Sequence, residues 1–116
     1  MGIAARYTLY FFGRTPQKHL VSVTMYKIVG SRRYERAYKR ISRRKDFRQE
    51  RLDQIINTLA AGKKLSAAYR DHALTGEYEG MRECHVQFDI LLIYQIRDRE
   101  LVLILINIGS HPELFG

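Results

Sequence analysis

Two uninterrupted apolar runs in the last third of the chain give the clearest structural signal in the sequence. The first spans residues 90–96 and the second spans residues 101–106, with the charged segment 97–100 between them. Short runs rich in Leu, Ile and Val on either side of a charged turn are typical of two buried strands that form one hairpin. A further strand is predicted over residues 81–86, directly before this hairpin.

Earlier in the chain, the pattern of apolar positions changes from strand to helix. Residues 26–29 alternate and predict a first strand, and Ser31 after them is suited to be an N-cap. The apolar positions of a first helix recur at helical spacing: Tyr34, Ala37, Tyr38 and Ile41. A second helix carries a similar stripe: Leu52, Ile55, Ile56 and Leu59. Asp46 is its predicted N-cap and Gly62 its predicted stop. We expect Tyr34 and Tyr38 to pack in the core, although stacking on nucleic-acid bases is an alternative.

These elements predict an α+β fold in the order β-α-α-β-β-β. The helical hairpin should pack on one face of a small, mostly antiparallel sheet, with residues 71–80 as a loop and a short closing turn near residues 112–115. The length of 116 residues predicts one domain, over residues 25–116. Residues 1–24 show no sustained period. We expect them to be a disordered extension or a mis-assigned start, with His19 uninvolved.

Positive charge is concentrated in one segment of the chain. Residues 27–51 hold 11 Lys and Arg against 3 acidic residues, a net +8 that equals the formal net charge of the whole sequence. Such a block favours a polyanionic partner, namely RNA, DNA, an acidic membrane surface or an acidic protein. An ordinary solvated helix face is the alternative. The predicted RNA- or ribosome-contacting basic face consists of Arg32, Arg33, Arg36, Lys39, Arg40, Arg43 and Arg44.

Composition excludes several classes of protein. No apolar stretch reaches the roughly 18 residues of a membrane-spanning helix. The single cysteine, Cys84, cannot form an intrachain disulfide and fits a reducing compartment such as the cytoplasm. Because Cys84 alternates with His85 along a predicted strand, we expect it to face the core. Arg82 and Glu83 are predicted to form a structural pair.

The candidate chemical groups are His72, His85, Asp89 and His111. Histidine exchanges a proton near neutral pH, and RNA supplies its own nucleophile in the 2′-hydroxyl, so several histidines on a basic domain suit a ribonuclease without metal or cofactor. The alternative is a set of hydrogen-bonded structural histidines. Binding of Zn²⁺ by Asp89 and the histidines is a weaker hypothesis, because no two histidines have the local spacing of a zinc motif.

Four segments together resemble a known family. They read Asp-His-x-Leu-x-Gly over 71–76, Arg-Glu-Cys-His over 82–85, Asp-x-Leu-Leu-Ile-Tyr over 89–94, and Gly-Ser-His-x-x-Leu-Phe over 109–115. In this order they resemble the YafQ branch of the RelE-type toxins, from bacterial type II toxin–antitoxin modules. The resemblance runs from Met25 onward.

The resemblance implies a compact α+β microbial ribonuclease fold without a cofactor. It also implies a toxin that enters the ribosomal A site and cuts translated mRNA. The implied partners are a cognate antitoxin, the ribosome and mRNA, and operator DNA bound through the antitoxin, with no membrane involved.

Functional positions are implied residue by residue. The resemblance assigns catalysis to His72, His85, Asp89 and His111, with His85 and His111 as first choices for proton transfer. It assigns substrate binding to Phe115, with its ring stacking on a base. Asn107 and Arg82 are further candidates for substrate binding.

The chain departs from the family pattern at two positions. Asn107 stands where the family usually has an arginine, and Ile90 stands where the YafQ branch commonly has a tryptophan. An asparagine carries no charge for a developing phosphorane, although Arg82 or Arg70 could compensate. A second hypothesis is therefore a weakened toxin homologue that binds antitoxin or ribosome without cutting. A third is a basic nucleic-acid-binding module unrelated to toxins.

Overall fold

The computed structural model describes residues 24–116. The predictions for residues 1–23, including that for His19, lie outside this range. The helices and strands are β1 Lys27–Gly30, α1 Arg32–Ile41, α2 Gln49–Ala60, β2 His72–Ala73, β3 Arg82–Gln87, β4 Ile90–Arg97, β5 Val102–Gly109 and α3 His111–Phe115. Single 3-10 turns cover Ala67–Tyr69 and Gly76–Tyr78.

The five strands form one sheet in the order β1-β5-β4-β3-β2. β1 runs parallel to β5, and the other neighbours are antiparallel. The predicted α+β fold, with its helical hairpin and three-stranded antiparallel run, is confirmed. The prediction of a simple loop over residues 71–80 is wrong at β2, which pairs His72 with Glu83. Two residues are too few to show a strand period, so the sequence carries no signal for this strand.

The main core lies between the helical hairpin and one face of the sheet. Every apolar position predicted for α2 is buried, and so are three of the four positions predicted for α1. Tyr38 is only partly buried. Tyr34 is fully buried and therefore cannot stack on a base. Cys84 is also fully buried on this face, and burial raises the pKa of its thiol, as expected for a core cysteine.

Local capping explains where the helices begin and end. The Ser31 hydroxyl accepts a hydrogen bond from the Tyr34 amide at 3.0 Å, so the predicted N-cap of α1 is confirmed. Gly62 follows α2 with φ of +78°, and its amide donates to the Leu59 carbonyl while the Lys63 amide donates to Thr58. This is a Schellman ending, which confirms the predicted stop.

The predicted N-cap of α2 is wrong. Arg48 occupies the cap position, and its side chain makes no capping hydrogen bond. Asp46 instead accepts two hydrogen bonds from the Arg44 guanidinium, at 2.9 and 2.7 Å. A bidentate, charge-assisted pair is stronger than a single bond from a backbone amide, so the carboxylate is engaged before the helix begins.

A second, smaller cluster covers the opposite face of the sheet. Leu91 and Ile93 of β4 pack there against Leu114 of α3. Tyr78 and Phe115 are partly buried at the edge of this cluster. No helix within residues 24–116 is long and apolar enough to cross a membrane. The predicted histidines His72, His85 and His111 and the predicted Phe115 lie around this second face.

Candidate active site

Two histidines and a buried glutamate form a cluster on the second face of the sheet. His72 of β2 lies opposite Glu83 of β3, and His85 follows Glu83 by two positions, which places both β3 side chains on one face. The Nε2 atom of His72 is 3.1 Å from Oε1 of Glu83, whose side chain is only 7% exposed. The other carboxylate oxygen is buried and has no partner among residues 24–116.

Both ring nitrogens of His72 have a neighbour. Its Nδ1 atom lies 2.8 Å from the Arg70 carbonyl oxygen, while Nε2 faces the Glu83 carboxylate. Both neighbours can accept a hydrogen bond. These two contacts hold the imidazole ring in place.

The surroundings of His85 lower the pKa of its imidazole. Burial lowers its pKa from the ordinary value of 6.5, and the positive charges of Arg70 and His72 lower it further, against an opposing contribution from Glu83. The imidazole is therefore neutral at neutral pH. A neutral, partly buried imidazole is able to accept a proton.

The short helix α3 supplies the other side of the site. Ser110 caps it in a complete capping box with Glu113, which determines where His111 and Phe115 lie. The His111 and Phe115 rings are 5.0 Å apart, and the Tyr78 ring meets Phe115 edge-on at 5.5 Å. His111 is exposed, so its ring is accessible beside an aromatic surface.

An apolar floor separates the two sides. His85 pairs with Leu91 across β3 and β4, and Leu91 pairs with Gly109 across β4 and β5. Two strand spacings correspond to about 10 Å. His85 and the start of α3 therefore lie on opposite sides of a shallow groove above Leu91. We call this surface the histidine groove: His72, Glu83, His85, His111 and Phe115 around Leu91.

Asp89 is not in contact with this cluster. It lies in the turn between β3 and β4, where its carboxylate accepts a hydrogen bond from Arg44 at 2.9 Å. Within the described range, no hydrogen bond or ion pair joins Asp89 to a histidine. The neighbouring Phe88 is 98% exposed at the tip of the hairpin. Arg44 connects this hairpin tip to the loop before α2 and thus differs from the rest of the predicted basic face, whose other six members are exposed.

Arg82 lies on the face of the sheet opposite the histidines. Its Nε atom is 3.2 Å from Oδ1 of Asp71, which also accepts a hydrogen bond from the buried Tyr94 hydroxyl at 2.7 Å. The predicted pair between Arg82 and Glu83 is wrong, because consecutive residues of a strand point to opposite faces. The structure therefore does not bring Arg82 to the histidine groove.

Asn107 lies at the bottom of a second, separate depression. Its side chain belongs to β5, is buried, and accepts a hydrogen bond from the Ile108 amide through Oδ1 at 2.9 Å. It lines a cavity of about 260 Å³ together with three arginines of α1 and with residues of α3. Asn107 thus shares a cavity with the basic helix α1.

A larger cavity lies elsewhere. It measures about 850 Å³, lies on the helix face of the sheet, and is lined by Asp71 and Arg82 but by no histidine. The described residues contain no group of three or more His, Cys, Asp or Glu side chains that could hold a metal ion. The three described histidines are in the histidine groove and not in this cavity.

Two residues of the groove were not among the predicted site residues. Glu83 was assigned to a structural pair, although strand alternation alone places it on the same face as His85. Tyr78, which contacts Phe115, lies in a 3-10 turn with no periodic signal.

Comparison with known proteins identifies the family of the chain. The family described as "Bacterial toxin of type II toxin-antitoxin system, YafQ" matches residues 26–116. The mRNA interferase toxin YafQ of Escherichia coli (strain K12) is 42% identical over 62 residues, which is 53% of this chain. The chain spans 61% of the length of that curated relative.

Solved structures agree with this assignment. A copper-bound mutant toxin from Helicobacter pylori matches with a TM-score of 0.72 and 33% identity, over 78% of this chain and 100% of that one. The E. coli DinJ-YafQ toxin–antitoxin complex matches with a TM-score of 0.70 and 30% identity, over 79% and 99% of the two chains. The chain therefore belongs to the YafQ family of bacterial toxins of type II toxin–antitoxin systems.

Proposed function

We propose that the chain is an endoribonuclease that cleaves translated mRNA on the ribosome, in the cytoplasm, and that a cognate antitoxin silences it. The observation that carries the proposal is the histidine groove, in which a neutral imidazole and an exposed imidazole flank a shallow floor. Relatives named as mRNA interferases and a relative solved as a DinJ-YafQ complex support the activity and the antitoxin partner. Operator DNA would be bound through that antitoxin.

The chemistry requires two proton transfers on either side of one phosphate. A base removes the 2′-hydroxyl proton, the 2′-oxygen attacks phosphorus, and an acid protonates the 5′-oxygen as its bond to phosphorus breaks. Each group needs only to come within hydrogen-bond distance of its proton. An open groove suits this reaction, because the ribosome can present the RNA strand from solution.

The geometry favours a division of roles among the histidines. His85 is the base, because burial keeps its imidazole neutral and able to accept the proton. His111 is the acid on the α3 side, and Phe115 beside it stacks on a base of the RNA. His72, held in place by Glu83, assists His85 from the neighbouring strand β2. Asp89 positions the hairpin tip through Arg44.

A second candidate function is a weakened homologue that binds antitoxin or ribosome without cutting. Asn107 is the observation that favours it, since this side chain is uncharged and its oxygen already accepts a hydrogen bond from the Ile108 amide. The two candidates differ in one observable, which is cleavage of translated mRNA.

The deciding experiment is cleavage of an mRNA in a purified translation system, with the cuts mapped by primer extension. The full chain is compared with His85→Ala and His85→Gln, and thermal unfolding verifies that each variant folds. We expect discrete, ribosome-dependent cuts by the parent, reduced at least 100-fold in both variants, as general base catalysis contributes about 10²–10⁴-fold. Folded variants that cut like the parent would exclude His85 as the base.

Asn107→Arg separates the two candidates. If the parent does not cut and Asn107→Arg does, the weakened homologue is the correct description. Addition of the antitoxin should abolish cutting by any active form, and a residual rate at saturating antitoxin would contradict the proposed silencing.

A further inference from the structure

Three arginines of α1 project from one face of the helix into a single small cavity. They lie at positions 33, 36 and 40, and spacings of three and four residues place side chains on the same helix face. The cavity they line with Asn107 has a volume of about 260 Å³ and is closed on its far side by Glu113 and Leu114 of α3. We call it the arginine cavity.

The charges in this cavity are not balanced. Glu113 is 3.6 Å from the Nε atom of Arg40, and among residues 24–116 it is the only acidic side chain that lines the cavity. Arg33 and Arg36 form no ion pair with any residue between 24 and 116. Two guanidinium groups in a concave surface are therefore left without a counter-ion from the described chain, which favours an anionic ligand.

Asn107 adds a hydrogen-bond donor to the same cavity. Its Oδ1 atom accepts from the Ile108 amide at 2.9 Å, and this contact determines the orientation of the side-chain amide, because only oxygen can face that donor. The Nδ2 group is then the atom left for a ligand, and no acceptor for it is found in the described part of the chain. Arginine forks and an amide N–H are the groups that bind phosphate oxygens.

We infer that the arginine cavity is a phosphate subsite for RNA, formed by Arg33, Arg36, Arg40 and the Nδ2 group of Asn107. This inference rests on the proposed ribonuclease function and adds a residue-level account of how the strand is held. α3 connects the two sites: Glu113 and Leu114 line the cavity, while His111 and Phe115 of the same helix face the histidine groove. A phosphate in the cavity therefore holds the strand adjacent to His111.

The arginines of the subsite bring positive charge to the RNA without a charged residue at position 107. This charge comes from α1 and not from β5. An acidic protein segment could offer carboxylates to the same arginines, but the position of the cavity beside His111 and Phe115 favours the RNA strand. An acidic peptide is therefore included as a competing probe in the test.

The binding test follows the Asn107 side-chain amide by ¹⁵N NMR, using the full chain. The probes are inorganic phosphate, a 2′-O-methyl oligoribonucleotide (which cannot be cut) and a hexaglutamate peptide. We expect saturable shifts of the Asn107 Nδ2 signal with phosphate and with the oligonucleotide, and loss of both in Arg33→Gln/Arg36→Gln. The matched control, Arg97→Gln/Arg99→Gln, removes the same charge from the turn between β4 and β5 and should bind like the parent.

If both double variants bind phosphate and the oligonucleotide equally weakly, only net charge matters, and the subsite is overturned. Binding of hexaglutamate but not of the oligonucleotide would assign the cavity to an acidic protein and would also overturn it. Because these titrations involve no cleavage, they decide the subsite even if the parent proves not to be a ribonuclease.

The cleavage test asks whether Asn107→Arg restores the activity that Arg33→Gln/Arg36→Gln loses. Loss of a charge-assisted hydrogen bond should lower kcat/KM roughly 10- to 100-fold in Arg33→Gln/Arg36→Gln, with a weaker salt dependence. Asn107→Arg should gain little alone but should restore most of this loss in the double variant, because it returns a guanidinium to the same cavity. Independent effects of the changes, with no rescue, would refute the proposed subsite.

Discussion

Replacing His72 with alanine should destabilise the protein, although the His72 side chain is 51% exposed. The reason lies with its partner. The Glu83 side chain is 7% exposed, one of its oxygens already has no partner in the described chain, and the other is held by His72. His72→Ala leaves a buried carboxylate with neither oxygen bonded by a side chain.

The magnitude follows from the burial of the two partners. Breaking a fully buried ion pair costs about 3–5 kcal/mol, and an exposed pair contributes about 0–1 kcal/mol. This pair has one buried and one half-exposed member. We therefore expect His72→Ala to lower the free energy of unfolding by about 1–3 kcal/mol, the cost of an unsatisfied buried group. For a domain of this size that corresponds to a fall in Tm of roughly 5–20 °C.

Urea and thermal unfolding of three variants measure this effect. Glu83→Leu alone, and His72→Ala/Glu83→Leu together, should be more stable than His72→Ala, because the buried charge is gone and an apolar side chain replaces it. His111→Ala is the matched control, since it removes an exposed imidazole without a buried partner and should stay within about 0.5 kcal/mol of the parent. If the double variant is no more stable than His72→Ala, the unpaired carboxylate is not the cause.

Three further outcomes follow from the same contacts. Because burial lowers the pKa of His85, single-turnover cleavage should keep its rate as the pH falls below 6.5 and decline only at lower pH; a decline centred above 6.5 would rule out His85 as the base. Arg44→Ala should leave Tm nearly unchanged but speed amide hydrogen exchange around Asp89, whose bond to Arg44 holds the hairpin tip. Tyr94→Phe should cost about 1 kcal/mol in urea unfolding, since it removes the buried hydroxyl that donates to Asp71. An equal change in hydrogen exchange across the whole sheet would contradict the expectation for Arg44→Ala. An unchanged urea midpoint would contradict the expectation for Tyr94→Phe.

The parts of the fold that could be predicted are those encoded by local chemistry. The stripe at positions 52, 55, 56 and 59 has a helical period that is independent of the rest of the chain, and it is buried as expected. Ser31 and Gly62 act through their own backbone geometry, so their roles as cap and stop are visible in sequence. The prediction of Asp46 as an N-cap was wrong because the Arg44 guanidinium binds its carboxylate. The preference of aspartate for cap positions does not take such a competing partner into account.

The contacts within the site depend on register, which the sequence does not show. His72 meets Glu83 only because β2 pairs with β3 at one register, and β2 is too short to show any pattern. The bond between Arg44 and Asp89 spans 45 residues, so it appears only once the helical hairpin has docked on the sheet. Strand alternation, by contrast, is visible in the sequence and places Arg82 on the face opposite Glu83 and His85, so the wrong pairing of Arg82 with Glu83 was avoidable.

The parallel pairing of β1 with β5 has a consequence for how the protein is made. Among the described strands, β1 has β5 as its single neighbour, and the Ser31 hydroxyl bonds to the Ile106 carbonyl across 75 residues of sequence. Chains emerge from the ribosome N-terminus first, and contacts this distant in sequence slow folding. Until β5 emerges, β1 has no partner and α1 lacks the strand against which it packs most extensively. A nascent chain without β5 therefore cannot assemble the histidine groove, which forms only when the last strand has emerged and the sheet can close.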